Sequence, residues 1–414
     1  MSLRTKRKGR FSEAQYAEEA ITMKEFEVKG AVMPGFESVK RLYEHNMRTL
    51  AESSTQLCVY YGEEKVVDLW ASVTEEPDFS ADSLVNVFSS GKSLEAIAMA
   101  SLVGRGLISY DARITDYWPE FGTNGKGELT VAELMRHEAG LAVFKVSIEP
   151  EDLLPENIKK NKVGHIIEAH GQTYPRGGGR RREYHAITRG WIVNELFRRV
   201  DPTGRTIGEF LREDISVPLG ADVFIGLGQE DLGRVKKVAL LGVRFQFLES
   251  LKPKFLKRRM EFNVFQILGK LIRLIPAMRR SSVRGAPPPF KGMRAIAFFN
   301  DPAVATGETP SANANCSARG LAKIAAMMAA GGKWDGRQYL DEQGCKAMHD
   351  HPREADMGFA ITRFTQGGVA LFSAVSQNST KVEKALNTGR EGFYGWMGLG
   401  GSLFQWHPQY KIGF

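Results

Sequence analysis

The sequence predicts an α+β fold: one antiparallel sheet built from both chain ends, flanked by helices, with an all-helical region between. Three observations carry this. Short β-rich runs cluster near the two ends, at 56–71 and 357–406. Apolar residues at helical spacing dominate the stretch between them. Composition is that of a globular chain: 414 residues, 43% hydrophobic and 25% charged, enough for one large domain or two modest ones.

The elements follow in order. Residues 1–30 read as a basic tail ahead of a domain spanning 31–414. Met1 to Arg10 lacks the apolar stretch of a secretory signal, and Glu13, Glu18 and Glu19 argue against a mitochondrial presequence. Phe36, Val39, Leu42, Tyr43, Met47 and Leu50 recur at helical spacing. Gln56–Tyr61 and Lys65–Ala71, separated by Gly62-Glu63-Glu64, form a hairpin signal. The apolar run Leu84–Phe88 then meets a helical pattern, Leu94–Val103.

At that junction stands Ser89-Ser90-Gly91-Lys92, the single S-x-x-K of the chain. Residues three apart share a helix face, so Ser89 Oγ and Lys92 Nζ can meet, and a buried lysine can serve as base toward a serine. About one such match is expected by chance. By itself the motif reads first as a helix start capped by Ser89 or Ser90, with Lys92 solvated in the first turn.

Thr130 with Glu133 predicts a capped helix over Thr130–His137. Residues 149–180 are polar and run into Gly177–Arg182, which reads as loop. Ile187–Val200 is a strong helical pattern that Ile207–Arg212 extends, and Ser317–Gly331 is another, ending on Gly331-Gly332. Met357–Phe364, Gly368–Ser373 and Ser402–Trp406 are short strands. Between the helices, 234–284 mixes lysines and arginines with Phe, Leu and Ile, and Pro287-Pro288-Pro289 closes an insertion of about 234–290. It reads first as an inserted helical lid with a solvated basic face, and otherwise as an amphipathic element for peripheral contact with an anionic membrane or for a nucleic acid.

Cys58, Cys316 and Cys345 lie far apart, which argues against a disulfide framework and a zinc site. With no signal segment and no uncharged apolar run of about 18 residues, the expectation is an intracellular protein. The net charge of +8 is local, so no nucleic-acid partner is expected.

Two further motifs bear on chemistry. Tyr184-His185-Ala186 precedes a helix; a phenolate beside a lysine can relay a proton, since a nearby cation lowers a tyrosine pKa. Read alone, Tyr184 is as well explained by an aromatic packed at a helix start. Gly395–Ser402 is a glycine-rich strand that lets a backbone or ligand approach and can offer an amide to an oxyanion, or is a flexible turn.

Taken in series, these motifs resemble the serine β-lactamase and penicillin-binding-protein superfamily, on the side of class C β-lactamases, the related carboxylesterases and eukaryotic β-lactamase-domain proteins. The resemblance runs from about Phe36 to the C-terminus. It rests on Val66–Trp70, Phe88–Ser93, Tyr117–Phe121, Leu129–Val131, Arg136–Leu141, Tyr184–Ala186, Pro310–Asn313 and residues 395–402, in the family's order.

The resemblance implies Ser89 as acyl-accepting nucleophile, Lys92 as base or proton shuttle, and Tyr184 as the group carrying protons to and from the leaving group. It implies an oxyanion hole from the backbone N–H groups of Ser89 and Leu399, and no metal or organic cofactor. The family's usual Tyr-x-Asn ends here in Ala186, and its Lys-Thr-Gly is replaced by Trp396-Met397-Gly398. Ala186, Trp396 and Gly398 would then line the substrate site, with Trp396 an apolar wall and Arg180 a candidate substitute cation.

The expectation is a carboxylesterase-type enzyme for small acyl esters. Amide hydrolysis of the β-lactamase or peptidase kind, or a non-catalytic assembling role, are the alternatives. A further strand and C-terminal helix usual in the family are expected to be missing, because the chain stops at Lys411–Phe414. That would leave a helix face near Phe36–Leu50 exposed.

Overall fold

The computed structural model describes residues 26–414 except 75–77, 175–181, 240, 261, 270–283, 294–295, 359, 378 and 380. Most of the basic tail, Arg180 with most of its glycine loop, and the end of the basic segment lie outside the described residues.

Nine strands form one antiparallel sheet. The N-terminal part supplies β1 (Lys29–Val32), β2 (Ser54–Tyr61) and β3 (Glu64–Ser72), as the hairpin signal predicts. Three two-residue strands, β4 (Val85–Asn86), β5 (Val223–Phe224) and β6 (Asn315–Cys316), make a separate small sheet in the order β4-β6-β5. Lys333–Trp334 and Arg337–Gln338, β7 and β8, are an isolated hairpin. The C-terminal part supplies β9 (Arg353–Asp356), β10 (Ile361–Phe364), β11 (Ala370–Leu371), β12 (Tyr394–Met397), β13 (Leu403–His407) and β14 (Ile412–Gly413).

The large sheet runs β1-β3-β2-β14-β13-β12-β11-β10-β9, so the two chain ends meet at β2 and β14. The further strand expected to be missing is therefore present: Ile412 and Gly413 pair with both β13 and β2. The stretch Met357–Phe364 is a hairpin and not one strand. Met357 N donates to Ala360 O in a turn, because Gly358 adopts a positive φ that bends the chain.

Helix α1 (Glu37–Thr49) covers β1 and β3 with Val39, Tyr43 and Met47, and leaves Leu42 exposed. Helix α2 (Lys92–Gly104) is buried from Lys92 to Leu102, so it is the central rod of the core; an apolar surface all round requires neighbours all round. Helix α3 (Val131–Met135) starts with the predicted box: Thr130 Oγ1 accepts from Glu133 N, and Thr130 N donates to the Glu133 carboxylate.

The 149–180 stretch is not all loop, since α4 (Lys162–Ala169) buries Val163, Gly164 and Ile167. Gly164 in its middle weakens the helical signal in the sequence. Helix α5 (Thr188–Val200) packs on α2, α6 (Ala318–Ala329) backs β2, β13 and β14, and α7 (Glu342–His349) crosses α2. Among the described residues no helix is long and apolar enough to cross a membrane.

Candidate active site

The chain leaves β4 into a tight turn. Asn86 Oδ1 accepts from Phe88 N at 2.7 Å, and Phe88 takes a left-handed φ of 47°. That conformation costs a non-glycine residue about 1–2 kcal/mol, and it lifts Ser89 onto a single turn of 3-10 helix, Phe88–Gly91, ahead of α2. The hydroxyls do not cap α2. Ser89 Oγ is in contact with the Tyr184 hydroxyl, and Ser90 Oγ donates to Ser402 O at 3.1 Å. The solvated-lysine reading also falls, because Lys92 has no exposed surface.

Lys92 Nζ stands between three oxygens: Ala186 O at 2.7 Å, Ser311 O at 2.9 Å and Ser89 Oγ at 3.3 Å. Burial is the largest influence on its pKa and drives it well below the ordinary lysine value; the nearby Glu95 carboxylate opposes this and Arg189 reinforces it. A neutral amine has two N–H donors and one lone pair. The two carbonyls take the donors, and the lone pair is left for the Ser89 hydroxyl.

Tyr184 shifts the other way from the sequence expectation. Burial pushes its hydroxyl up to about 12, outweighing the Ser89 hydrogen bond and the Arg189 charge. Burial thus favours the protonated phenol, and Ser89 Oγ lies in hydrogen-bond contact with both the Tyr184 hydroxyl and Lys92 Nζ.

Trp396 is buried beside this group. Its ring lies 5.7 Å from Lys92 Nζ, stacks with Tyr184 at 6.1 Å and with Phe364 at 4.8 Å, and its Nε1 donates to Gly368 O. It backs Tyr184 rather than presenting an open wall. Ala186 is exposed, and its carbonyl is one of the Lys92 acceptors. Gly398 follows β12 at a close approach: a Cβ there would lie 2.3 Å from Val87 O, 2.2 Å from Ser402 Oγ and 3.2 Å from Ser89 N. Only glycine lets the end of β12 come this near the Ser89 amide, and Leu399 is the next residue along the chain.

A buried layer that the sequence reading assigned no role supports the group. Arg189 on α5 and Glu95 on α2 form an ion pair at 2.9 Å with both side chains fully buried. Arg189 also donates to Lys92 O and Met135 O, tying α5 to the start of α2 and to the end of α3. His185 Nε2 accepts from Leu141 N at 2.9 Å and its Nδ1 faces Glu183 O, while His137 Nδ1 accepts from His185 N. Burial is the chief cause holding both histidines below the usual imidazole range, His185 at about 4, so they act as clamps on the extended segment bearing Tyr184. A signal existed: Glu95 is the one charge in Ser93–Leu102, and Arg189 sits in the apolar stripe of α5. Among the described residues no group of His, Cys, Asp and Glu could hold a metal ion.

The chain matches the family model described as Beta-lactamase over residues 39–414. It is 30% identical over 326 residues to "Esterase/beta-lactamase LipL" of Mycobacterium tuberculosis (strain ATCC 25618 / H37Rv), covering 76% of this chain and 68% of that one. Among solved structures it is similar to a penicillin-binding protein homologue from Caulobacter crescentus, with TM-score 0.69, 26% identity, and coverage of 94% of this chain and 92% of the other. It is similar also to a family VIII carboxylesterase, with TM-score 0.70, 25% identity and the same coverage of both chains.

Proposed function

The chain belongs to the beta-lactamase family, and on that premise we propose that it is a serine hydrolase that forms an acyl-enzyme on Ser89 and acts on small acyl esters. The observation that carries the reading is the arrangement at Lys92: two carbonyls occupy its N–H donors and the remaining lone pair meets Ser89 Oγ. An amine held neutral by burial is a base ready at neutral pH.

In this reading Lys92 takes the Ser89 proton as Oγ bonds to the ester carbonyl carbon. The oxygen that gains charge is received by the Ser89 and Leu399 amides. The C–O bond to the alcohol breaks, Tyr184 O–H protonates the departing oxygen, and the Lys92 ammonium returns a proton to Tyr184. Water then repeats the sequence on the acyl-enzyme, losing one proton and releasing the acid. Esters are favoured over lactams because Ala186 offers no side-chain amide to a lactam and Trp396, buried and uncharged, offers no cation to its carboxylate. The names of the relatives, an esterase/beta-lactamase and a family VIII carboxylesterase, support an esterase-type activity without separating esters from lactams.

The test is labelling by a fluorophosphonate together with turnover of p-nitrophenyl butyrate. Ser89→Ala should abolish both. Lys92→Arg, which keeps a charge but cannot accept the proton, should lower kcat by about 10²–10⁴-fold. Labelling of Ser89→Ala equal to that of the natural chain would end the proposal.

A further inference from the structure

We propose that residues 241–268 are a docking surface for an anionic lipid bilayer. The first observation is an inverted helix. In Val243–Leu251 the polar Glu249 and Ser250 are buried, while Val243, Phe247, Leu248 and Leu251 face outward. Glu249 is held inward by Lys252 Nζ and by Arg259 N, and Arg259 in turn donates to Leu50 O at the end of α1. The inversion is therefore anchored to the body of the protein.

The second observation is the density of exposed apolar side chains. Of the eighteen large apolar residues exposed among the described residues, nine lie in 243–268, led by Val243 at 84%, Phe255 at 82% and Phe265 at 79%. Surfaces in contact with water only do not concentrate such residues in one segment.

The third is charge, which chooses the occupant. Residues 241–268 contain six Lys and Arg and two Glu, a net of +4, half of the +8 of the whole chain. Lys252, Lys254 and Lys257 are exposed among the apolar side chains. Phenylalanines and leucines seated at the acyl boundary with lysines at the headgroups match an anionic bilayer. A second copy would bring two net-positive segments together, which opposes self-association through this face. Phosphate backbones alone would leave the phenylalanines in water.

Lys236, ahead of the segment, and Phe299, well after it, both lie in the nucleophile's neighbourhood. Lys236 N donates to Leu84 O just ahead of β4, and Phe299 packs edge-on against Phe88. Docking would therefore hold the Ser89 side of the molecule near the membrane.

The experiment is sedimentation of the full chain with vesicles of phosphatidylcholine alone or with about one third phosphatidylserine. The expected result is binding to the anionic vesicles at least about tenfold stronger than to neutral ones, weakened by high salt. Lys254→Glu with Lys257→Glu, and separately Phe255→Ser with Phe265→Ser, should each lose about tenfold or more. All four positions are exposed, and unchanged turnover of a soluble ester would certify that the variants fold. Ser89→Ala should bind vesicles like the natural chain, so failure here is distinct from failure of the hydrolase reading. Equal binding to neutral vesicles, binding unchanged in both double variants, a dimer that these substitutions dissolve, or capture of duplex RNA in place of vesicles would each overturn it.

Discussion

Lys92 is the residue on which the chemistry turns, and its burial leaves a mark on stability as well. Its pKa in the folded chain lies well below that of a free lysine, so between the folded value and about 10.4 the unfolded chain binds the extra proton. Native stability must then rise with pH across that window, by up to about 1.4 kcal/mol per pH unit from this group. Lys92→Met removes the titration. Urea unfolding of the two proteins between pH 7 and 9 should show a steeper rise for the natural chain; parallel slopes would mean that Lys92 is charged in the folded state.

At the scale of elements, the site is a junction of α2, α5 and the end of β12. Arg189 and Glu95 are the pin between the two helices, an ion pair with no solvent to relax into. Arg189→Met leaves the Glu95 charge buried alone and should cost about 3–5 kcal/mol. Arg189→Met combined with Glu95→Leu should recover most of that, because the charge that needed a partner is gone. Denaturant midpoints of the single and double variants check it; a double variant as unstable as the single one would show that the carbonyl bonds of Arg189, and not the ion pair, bear the load.

The whole molecule depends on joining its two ends. β14 is two residues long, yet it bridges β2 and β13, so the N-terminal hairpin and the C-terminal strands become one sheet through Ile412 and Gly413, helped by the bonds of Gly62 N to Lys411 O and between Phe414 and Gln405. The Gly413 position has no room for a side chain: a Cβ would lie 2.2 Å from Ala326 N on α6. Gly413→Val should therefore destabilise by about 1–3 kcal/mol through overpacking. The loss should be seen as a lower thermal midpoint with the ester site chemically intact.

Much of this molecule is legible in its residues. The α+β class, the β2–β3 hairpin, the Thr130 capping box and the α2, α5 and α6 helices follow from local periodicity, and local periodicity acts between neighbours along the chain. The motif series in order identified the superfamily. What stayed open were pairs of readings whose difference is burial. Whether Ser89 caps a helix or faces a base depends on Tyr184, Ala186 and Ser311, which lie about a hundred or more residues away. Whether Tyr184 is acidic is decided chiefly by its own desolvation, which no spacing records. The Met357–Phe364 stretch and α4 were misread for a local reason: single glycines, Gly358 and Gly164, blur the signal that separates strand, turn and helix. Sequence alone determined most of the helices, the N-terminal hairpin and the family they compose. The tertiary structure decided the protonation and partners of the site, because packing removes water from chosen groups and brings distant carbonyls to one amine.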